Sequence, residues 1–335
     1  MINYADIIVD LQAGDTGKGK VCNTLSQIKN EYTHVIRYNG GGNAGHTIYQ
    51  DGKKIVTHFI PSGIISGIKS IVGPGCVVNV EKFFDEIKEL ELLGINTKGK
   101  IFIDKRVNII TENHIIEDSK DVEIGTTKTG NGPCYRDKYF RKGKRAESVK
   151  ELQDYLIDIY SELHGKEPCK ILFEGAQGFE LDIDWGDYPF VTSSHCTVGS
   201  AILNGVPPQS IRKVWGIAKA YNTYVGAKKY EIENDVFEKI RELGNEYGAT
   251  TGRARQIGWT DVDKLIKACN INGVTHLVMN KVDILEKAGR FAVIVNGLPF
   301  TMTDINFFEE YIVDTIKKNC PTIQEVIMSR SQESI

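Results

Sequence analysis

The sequence of 335 residues lacks a long apolar run. No stretch approaches the roughly 18 apolar residues that a membrane-spanning helix needs. The opening segment MINYADIIVD has neither the basic region nor the cleavage site of a secretory signal peptide. Neither sign of charge dominates, since the formal net charge is −3. We therefore expect a cytoplasmic protein with no nucleic-acid and no membrane partner.

Metal-type cysteine spacing is also absent. The seven cysteines are odd in number and scattered along the chain, so we expect reduced thiols rather than a zinc site or a disulfide framework. The chain shows no internal repeat and no low-complexity linker. With 41% hydrophobic and 25% charged residues it can bury a large core. We expect a single domain over residues 1–335.

A strand followed by a glycine-rich turn, residues 5–20, organises the chain. The apolar residues Ile7, Ile8, Val9 and Leu11 predict a buried parallel strand, and the turn GDTGKGK opens a helix near Val21. Glycines let main-chain N–H groups converge on an anion, and a lysine adds a point charge. The spacing only half matches the G-x-x-x-x-G-K-[ST] motif. The candidate phosphate-binding residues are Gly14, Gly17, Lys18, Gly19 and Lys20.

Asp15 stands inside this turn. A carboxylate beside a phosphate site is unfavourable unless it binds a metal or handles a proton. The structural alternative is a glycine-rich strand–helix turn in which the aspartate caps the helix.

Short β-rich runs alternate with helical ones along the rest of the chain. The predicted strands are 33–38, 70–78, 100–104, 170–174, 213–221 and 275–279. The predicted helices are 81–93, 146–163, 234–243 and 260–271. Residues 125–145 are polar, rich in glycine and basic, which predicts a loop. The alternation predicts an α/β fold with a mostly parallel central sheet, flanking helices and inserted loops, of the kind that P-loop-like nucleotide ligases have.

Polar clusters follow the predicted strands, where such a fold has its sites. His46 lies in the loop NGGGNAGHT, and Gln177 lies in EGAQG after the 170–174 strand. His46 is either a structural histidine or an exposed acid or phosphate ligand. The segment GATTGRAR combines hydroxyls with arginines, which suits carboxylate or phosphate capture. NKVD follows the last predicted strand and is by itself a weak match to a guanine-binding motif.

Taken together, these segments are typical of a single protein family. GDTGKGK, GGNAGHT, IPSG, IGTT…GNGP, EGAQG, YPFVTSS, GATTGRAR and NKVD occur in this order. Over roughly residues 5–285 the chain resembles adenylosuccinate synthetase. The resemblance implies a purine-nucleotide ligase in which a nucleoside triphosphate phosphorylates O6 of IMP. The nitrogen of L-aspartate then displaces that oxygen and gives adenylosuccinate.

The resemblance also implies roles for individual residues. Asp15 matches the base that removes the N1 proton, His46 the acid, and Lys18 the lysine on the donor phosphates; Gln177 joins this catalytic set. Asp15 and main-chain groups near Gly45 would hold Mg²⁺. The expected acceptor positions are Asn43, Thr127, Gln177, Thr192, Val225 and Arg255. The expected aspartate-loop positions are Thr250, Thr251 and Arg253. The expected donor positions are the phosphate loop, Thr47, Lys281 and Asp283.

One further residue implies an oligomer. Arg141 falls at the arginine that the family donates across a dimer interface to the acceptor phosphate. The resemblance therefore implies a homodimer in which Arg141 crosses into the neighbouring site.

Several departures open alternatives. Thr16 stands where the family usually has Glu, Ala13 where it usually has Trp, and the C-terminal stretch lacks an STGP-like motif that helps to hold the donor guanine. ATP is therefore an alternative to GTP as the donor. Phage relatives that act on (d)GMP share Thr16, but the best-known have Ser in place of Asp15, so the retained carboxylate favours IMP. A GTPase-like regulator is a third reading, which leaves His46, Gln177 and the GATTGRAR loop without roles.

Overall fold

The computed structural model describes residues 1–231, 234–248 and 252–335. The strands of these residues are β1 Ile2–Asp10, β2 His34–Arg37, β3 His46–Gln50, β4 Lys53–Thr57, β5 Lys69–Val72, β6 Val77–Val78, β7 Ile101–Asp104, β8 Asn108–Ile109, β9 Leu156–Ile157, β10 Cys169–Glu174, β11 Ile211–Lys219, β12 Tyr221–Tyr224, β13 Gln256–Asp261, β14 His276–Asn280, β15 Phe291–Val295, β16 Leu298–Met302 and β17 Glu325–Met328. The α-helices are α1 Lys18–Ser26, α2 Val80–Leu92, α3 Glu112–Ser119, α4 Asn131–Tyr139, α5 Ile159–Leu163, α6 Val198–Ile202, α7 Asp235–Gly244, α8 Val262–Asn272, α9 Val282–Ala288 and α10 Ile305–Asn319.

Nine strands form the central sheet, in the order β17-β14-β11-β1-β10-β2-β5-β7-β9. Neighbouring strands in this sheet run parallel. Residues 5–10 of β1 are buried, which explains the nearly continuous apolar sequence there. Because parallel strands end at one edge, the loops that follow β1, β2, β10, β11 and β14 gather at that edge.

Smaller sheets complete the fold. They are the four-stranded sheet β12-β13-β15-β16 and the pairs β3-β4 and β6-β8. All seven cysteines are buried and none is in a disulfide. Within the described ranges, no helix is both long and apolar enough to cross a membrane.

The predicted α/β fold with a mostly parallel sheet is confirmed. The predicted strands at 33–38, 100–104, 170–174 and 275–279 are β2, β7, β10 and β14, within two residues of the predicted bounds. The helices predicted at 81–93, 234–243 and 260–271 are α2, α7 and α8. The helix predicted to begin near Val21 begins at Lys18, directly at the glycine-rich turn.

The predicted long helix over residues 146–163 is wrong. The segment contains two 3₁₀ turns, the short strand β9 and the short helix α5. β9 extends the central sheet by pairing with β7, and the main-chain N–H of Ile159 donates to the carboxylate of Asp104 at 2.9 Å. This tertiary pairing overrides the amphipathic helical pattern, because local propensity is a weak preference.

Three other predicted segments differ in part from the observed secondary structure. The predicted loop 125–145 contains α4. The predicted strand 70–78 is β5 and β6, separated by the turn at 73–75, where a side chain on Gly75 would meet the carbonyl oxygen of Tyr38 at 2.0 Å. The predicted strand 213–221 is divided between β11, which ends at Lys219, and β12, which begins at Tyr221; the N–H of Ala220 makes the last bond of β11 to β14, at the carbonyl of Asn280.

Candidate active site

Two cavities adjoin at the carboxyl edge of the central sheet. Cavity A is bounded by the turn after β1, the loop after β2 and the loop after β10. Cavity B is bounded by the same turn, the start of α1 and the segment after β14. Four of the described residues line both cavities: Asp15, Lys18, Gly45 and His46. Groups bound in the two cavities would therefore meet at these residues.

Most of the predicted site residues line one of these cavities. Cavity A also contains Gly14, Asn43, Thr127, Gln177, Thr192 and Val225. Cavity B also contains Gly17, Gly19, Lys20, Thr47, Arg255, Lys281 and Asp283. Arg253 is exposed, and its Nη1 lies 3.4 Å from the carbonyl oxygen of Gly125. Thr250 and Thr251 lie outside the described residues.

The glycine-rich turn leads directly into α1. Gly17 is the N-cap residue with φ 102°, a left-handed conformation that glycine adopts without a Cβ clash, and a side chain there would meet Asn280 at 2.7 Å. No side chain in the described part of the protein caps this helix. The N–H groups of its first turn therefore remain suited to an anion in cavity B.

Lys18 is held by a buried carboxylate that the sequence reading did not use. Its Nζ lies 2.7 Å from Oδ2 of Asp10 and 2.6 Å from the carbonyl oxygen of Gln177. The hydroxyl of Thr16 donates to the same Asp10 oxygen at 2.5 Å. Asp10 thus orients the ammonium between the two cavities, and Thr16 supports that carboxylate.

Three predicted site residues have left-handed backbones in the turns that follow strands of the central sheet. Asp15, Gln177 and Lys281 have φ angles of 55°, 55° and 64°. Such conformations cost of the order of 1–3 kcal/mol for residues other than glycine, and they cluster at functional sites. The turns after β1, β10 and β14 therefore favour side-chain placement over local backbone stability.

Asp15 shares an arginine with a buried glutamate. Nε and Nη2 of Arg255 both lie 2.9 Å from Oδ2 of Asp15. Nη1 of the same guanidinium lies 2.6 Å from Oε2 of Glu246. The Asp15 side chain is 34% exposed, so its carboxylate remains reachable from the cavities.

His46 lies between two buried charged groups. Its Nδ1 lies 2.5 Å from Oε1 of Glu174, and its Nε2 lies 3.0 Å from Nη1 of Arg37. An arginine only donates, so Nε2 accepts and Nδ1 carries the proton that Glu174 accepts. Ser62 fixes the same carboxylate with its main-chain N–H at 2.7 Å and its hydroxyl at 2.6 Å. The ring orientation is thereby determined.

This environment sets the protonation of His46. Burial lowers the pKa of His46 to about 4, and the charge of Arg37 acts in the same direction, whereas Glu174 opposes them. The ring is therefore neutral at pH 7 in this arrangement. Negative charge from a phosphoryl group beside the ring would raise this pKa. His46 is thus suited to gain acid character when such a group is bound.

Gln177 and Asn43 form a polar pair in cavity A. Nε2 of Gln177 donates to Oδ1 of Asn43 at 3.0 Å. Oε1 of Gln177 is buried and has no hydrogen-bond partner among the described residues. The amide therefore retains hydrogen-bonding capacity for a polar ligand.

The second lysine of the phosphate loop contacts the C-terminal segment. Nζ of Lys20 donates to the hydroxyl of Ser329 at 2.7 Å and to the carbonyl of Ser331 at 2.9 Å. Burial lowers the pKa of Lys20 to about 8, and the nearby charge of Lys281 contributes. This ammonium anchors the tail that forms part of the wall of cavity B.

Arg141 lies away from cavities A and B. It lines a third cavity together with Arg106, Lys138 and Arg145, and it is exposed. Its backbone is left-handed, with φ 64°, directly after α4. The arginine therefore lines neither of the cavities in which the other predicted residues gather.

Sequence reasoning missed the buried charged residues that support the site. They are Asp10, Arg37, Glu174, Lys219 and Glu246. A usable signal was present, because Asp10, Arg37, Glu174 and Lys219 are charged residues that each end a strand directly after an apolar run. Charges that are buried in this way are paired or functional.

The fold and these cavities define a class of protein. A parallel α/β sheet carries a phosphate-type loop at its carboxyl edge, and a carboxylate, a lysine and a histidine lie where two polar cavities meet. This is the arrangement of a nucleotide-dependent group-transfer enzyme with two binding cavities.

Comparison with known proteins gives the family. The sequence model of adenylosuccinate synthetase matches residues 7–166 and 146–298. The adenylosuccinate synthetase of Cytophaga hutchinsonii is 38% identical, over 89% of this chain and 83% of its own length. The adenylosuccinate synthetase of Wolinella succinogenes is 37% identical, over 97% of this chain and 88% of its own length. The chain belongs to the adenylosuccinate synthetase family and is a ligase that forms a C–N bond, with nucleotide and aspartate substrates.

Solved structures agree with the fold. The fully ligated adenylosuccinate synthetase of Plasmodium falciparum superposes with a TM-score of 0.86 at 26% identity, and 98% of each chain is covered. The succinoaminodeoxyadenylate synthetase of cyanophage S-2L, bound to dGMP and dATP, gives a TM-score of 0.78 at 20% identity, over 99% of this chain and 94% of that one. The second likeness shows the fold alone.

Proposed function

We propose that this protein joins L-aspartate to C6 of IMP, with GTP as the energy donor, and so makes adenylosuccinate. The observation that carries the proposal is the position of Asp15, whose carboxylate lines both cavities beside Lys18 and His46. Cavity A would take the acceptor and cavity B the donor. We further propose that residues 1–335 act as one domain, and that the enzyme works in the cytoplasm, where its nucleotide substrates are made.

The first step would be phosphoryl transfer to O6. Asp15 takes the proton from N1, which makes O6 of the lactam nucleophilic. O6 then bonds to the γ-phosphorus as the bond to the β,γ-bridging oxygen breaks, and the nucleoside diphosphate leaves. Lys18 and His46 act on the oxygens of the transferred group, where negative charge is spread in the transition state.

The second step would be displacement by aspartate. Its nitrogen bonds to C6, the C6–O6 bond breaks, and phosphate leaves with the oxygen and the released proton. Arg253 would pair with a carboxylate of aspartate, because a guanidinium binds carboxylates bidentately. Gln177 would accept a hydrogen bond from the N–H of the entering aspartate nitrogen, since its amide oxygen is a buried acceptor without a partner among the described residues.

Mg²⁺ fits the groups at the junction of the cavities. The carboxylate of Asp15 and the main-chain carbonyl of Gly45 are oxygen donors, which this ion prefers. When bound, Mg²⁺ would neutralise charge on the donor phosphates.

Donor selection would depend on the end of β14. Asp283 lines cavity B, and its carboxylate could accept hydrogen bonds from the N–H groups of a guanine edge. Adenine lacks that pair of donors, so we propose GTP, with ATP as the alternative.

A second acceptor is favoured by one observation. Ala13, where the family usually has a tryptophan, lines both cavity A and a neighbouring cavity that contains Glu180. This extra space could take a purine with an additional amino group, for which a carboxylate is a suitable acceptor. The alternative function is therefore 2-aminoadenylosuccinate synthesis from GMP or dGMP.

One assay tests both functions. The pure protein is incubated with aspartate, Mg²⁺ and each pairing of IMP, GMP or dGMP with GTP or ATP, and the product is identified by mass. We expect the succinyl product of IMP to dominate. A succinyl product of GMP or dGMP alone would establish the alternative. Triphosphate hydrolysis without aspartate and without a succinyl product would contradict both and indicate a regulatory nucleotide-binding protein.

Arg253→Leu should weaken aspartate binding selectively. The loss of the guanidinium removes the partner of the substrate carboxylate, so the KM for aspartate should rise at least tenfold, of the order expected for a charge-assisted pair, while the nucleotide KM values change little. Arg253→Lys should rescue little, because an ammonium lacks the planar fork. An unchanged aspartate KM in the Leu variant would assign the carboxylate site elsewhere.

His46→Asn should reduce turnover far more than nucleotide affinity. The imidazole interacts with charge that develops on the transferred group, so its loss is felt mainly in the transition state. We expect kcat to fall about 100-fold or more, with donor Kd nearly unchanged. Steady-state kinetics and calorimetric titration of the donor measure the two effects. Equal losses in kcat and affinity would indicate a structural histidine.

A further inference from the structure

A buried carboxylate without an assigned role lies beneath Arg255. Glu246 is 0% exposed and lies two residues before Gly248. Its Oε2 accepts hydrogen bonds from Nη1 of Arg255 at 2.6 Å and from Nζ of Lys219 at 3.0 Å. Its Oε1 accepts one from the hydroxyl of Tyr221 at 2.6 Å. Three side chains from different segments therefore fix this carboxylate.

The guanidinium of Arg255 is divided between two carboxylates. One end donates to Glu246, whereas Nε and Nη2 face Asp15 at 2.9 Å. The main-chain N–H of Arg255 also donates to the carbonyl oxygen of Glu246 at 2.9 Å. Both the backbone and the side chain of Arg255 are therefore tied to Glu246. The opposite edge of the guanidinium faces Asp15, one of the residues that line both cavities.

Stability alone does not explain such a cluster. Glu246 and Lys219 are each about 1% exposed at their side chains, and Arg255 is 12% exposed. Taking these charges out of water costs several kcal/mol for each ion, and a well-packed apolar cluster of similar volume is often as stable or more stable. The ion pair of Glu246 and Arg255 instead contributes geometry, because it leaves the guanidinium few alternative orientations.

We propose that Glu246 is a positioning residue that holds the guanidinium of Arg255 beside Asp15, at the junction of cavities A and B. A long arginine side chain held only by Asp15 would move with that carboxylate whenever Asp15 turned towards a proton or an oxygen ligand. Anchored at Nη1, its other edge stays in place while Asp15 reacts. The kinetic test of this proposal rests on the proposed function, because it measures that activity.

Glu246→Gln tests the proposal, because it keeps the shape of the side chain and removes the charge that anchors Nη1. We expect kcat to fall on the order of 10- to 100-fold, with the KM for the triphosphate changed less than twofold. Glu246→Asp keeps the charge and should recover part of the loss. Glu242→Gln, the same chemical change on the exposed side of α7, is the matched control and should behave as the unmodified protein. A fall in kcat matched by the same factor in every KM, or no recovery with Asp, would overturn the proposal.

A double-mutant cycle shows whether Glu246 acts through Arg255. On an Arg255→Met background, adding Glu246→Gln should cause little further loss, because the residue through which it acts is already gone. Losses that multiply would mean that Glu246 acts independently, and the proposal would be wrong. Glu246→Gln could fail to fold because Lys219 loses its partner. In that case the cycle is repeated on a Lys219→Met background, where adding Glu246→Gln removes the second buried charge of the pair. The Lys219→Met single variant is then the reference protein.

A third measurement does not depend on activity. The Nε–H resonance of Arg255, assigned by its loss in Arg255→Met, should be protected from exchange in the unmodified protein and in Glu242→Gln, because Nε donates to Asp15. In Glu246→Gln it should lose that protection. An unchanged resonance would overturn the positioning role whatever the reaction is. A lost resonance in a protein that forms no succinyl product would overturn the proposed function and leave the positioning role intact.

Discussion

Asp15→Asn is expected to reduce kcat by about 1000-fold or more, because general-base catalysis alone contributes about 10²–10⁴-fold and the variant also loses a charged oxygen ligand. The amide has the shape of the carboxylate but cannot take the N1 proton. Asparagine also tolerates the left-handed backbone that Asp15 adopts, with φ 55°, so the turn should be preserved. Single-turnover measurements of phosphoryl transfer to the acceptor report the affected step.

Two comparisons isolate the chemical role of Asp15. Thermal unfolding of Asp15→Asn should stay close to that of the unmodified protein, which separates lost chemistry from lost structure. Asp154→Asn, the same change at an exposed position remote from both cavities, should leave kcat unchanged. An Asp15→Asn variant that retains most of its activity would exclude Asp15 as the base.

Mixing two inactive variants is expected to restore activity. Arg141 lines neither cavity A nor cavity B in its own chain. We propose, as the family resemblance implies, a homodimer in which Arg141 reaches the acceptor phosphate of the neighbour. Arg141→Leu and Asp15→Asn should each be nearly inactive alone. In a mixed dimer with reciprocal contacts, one site would contain both native residues and the other neither. After full exchange of equal amounts, roughly a quarter of all sites would be intact.

The control uses two residues of the same site. Lys18 and Asp15 line the same cavities within one chain, so mixing Lys18→Met with Asp15→Asn should restore nothing. Subunit exchange is followed separately by native mass spectrometry of tagged chains. Proven exchange of Arg141→Leu with Asp15→Asn without recovery would mean that Arg141 does not act across an interface.

Much of the fold could be predicted because it follows local rules. The residues Ile7, Ile8 and Val9 are apolar on both faces, which a strand buried in a parallel sheet requires, and they lie in the buried half of β1. The segment 146–163 was predicted wrongly for the opposite reason. Its helical periodicity is local, but its place at the edge of the sheet comes from pairing with β7, about 50 residues away in sequence.

The candidate site shows the same division. Gly17 could be predicted from its position before a helix, because a left-handed N-cap in a phosphate loop favours glycine. The orientation of His46 could not, because its partners are the buried residues Glu174 and Arg37. Nothing in the loop NGGGNAGHT reveals that its histidine lies between a carboxylate and a guanidinium, with a pKa lowered to about 4 chiefly by burial.

The sequence by itself determined the parallel α/β fold, the phosphate-type loop and the ordered segments that define the family, since glycine turns, apolar strands and helix starts depend on neighbouring residues. Only the tertiary structure decided that two cavities meet at Asp15, Lys18, Gly45 and His46. It also decided which buried charges hold them, because those contacts join residues far apart in the chain. His46 and Glu174 are separated by 128 positions, and Asp15 and Arg255 by 240. Such contacts depend on how the strands are ordered in the sheet, which no local pattern encodes.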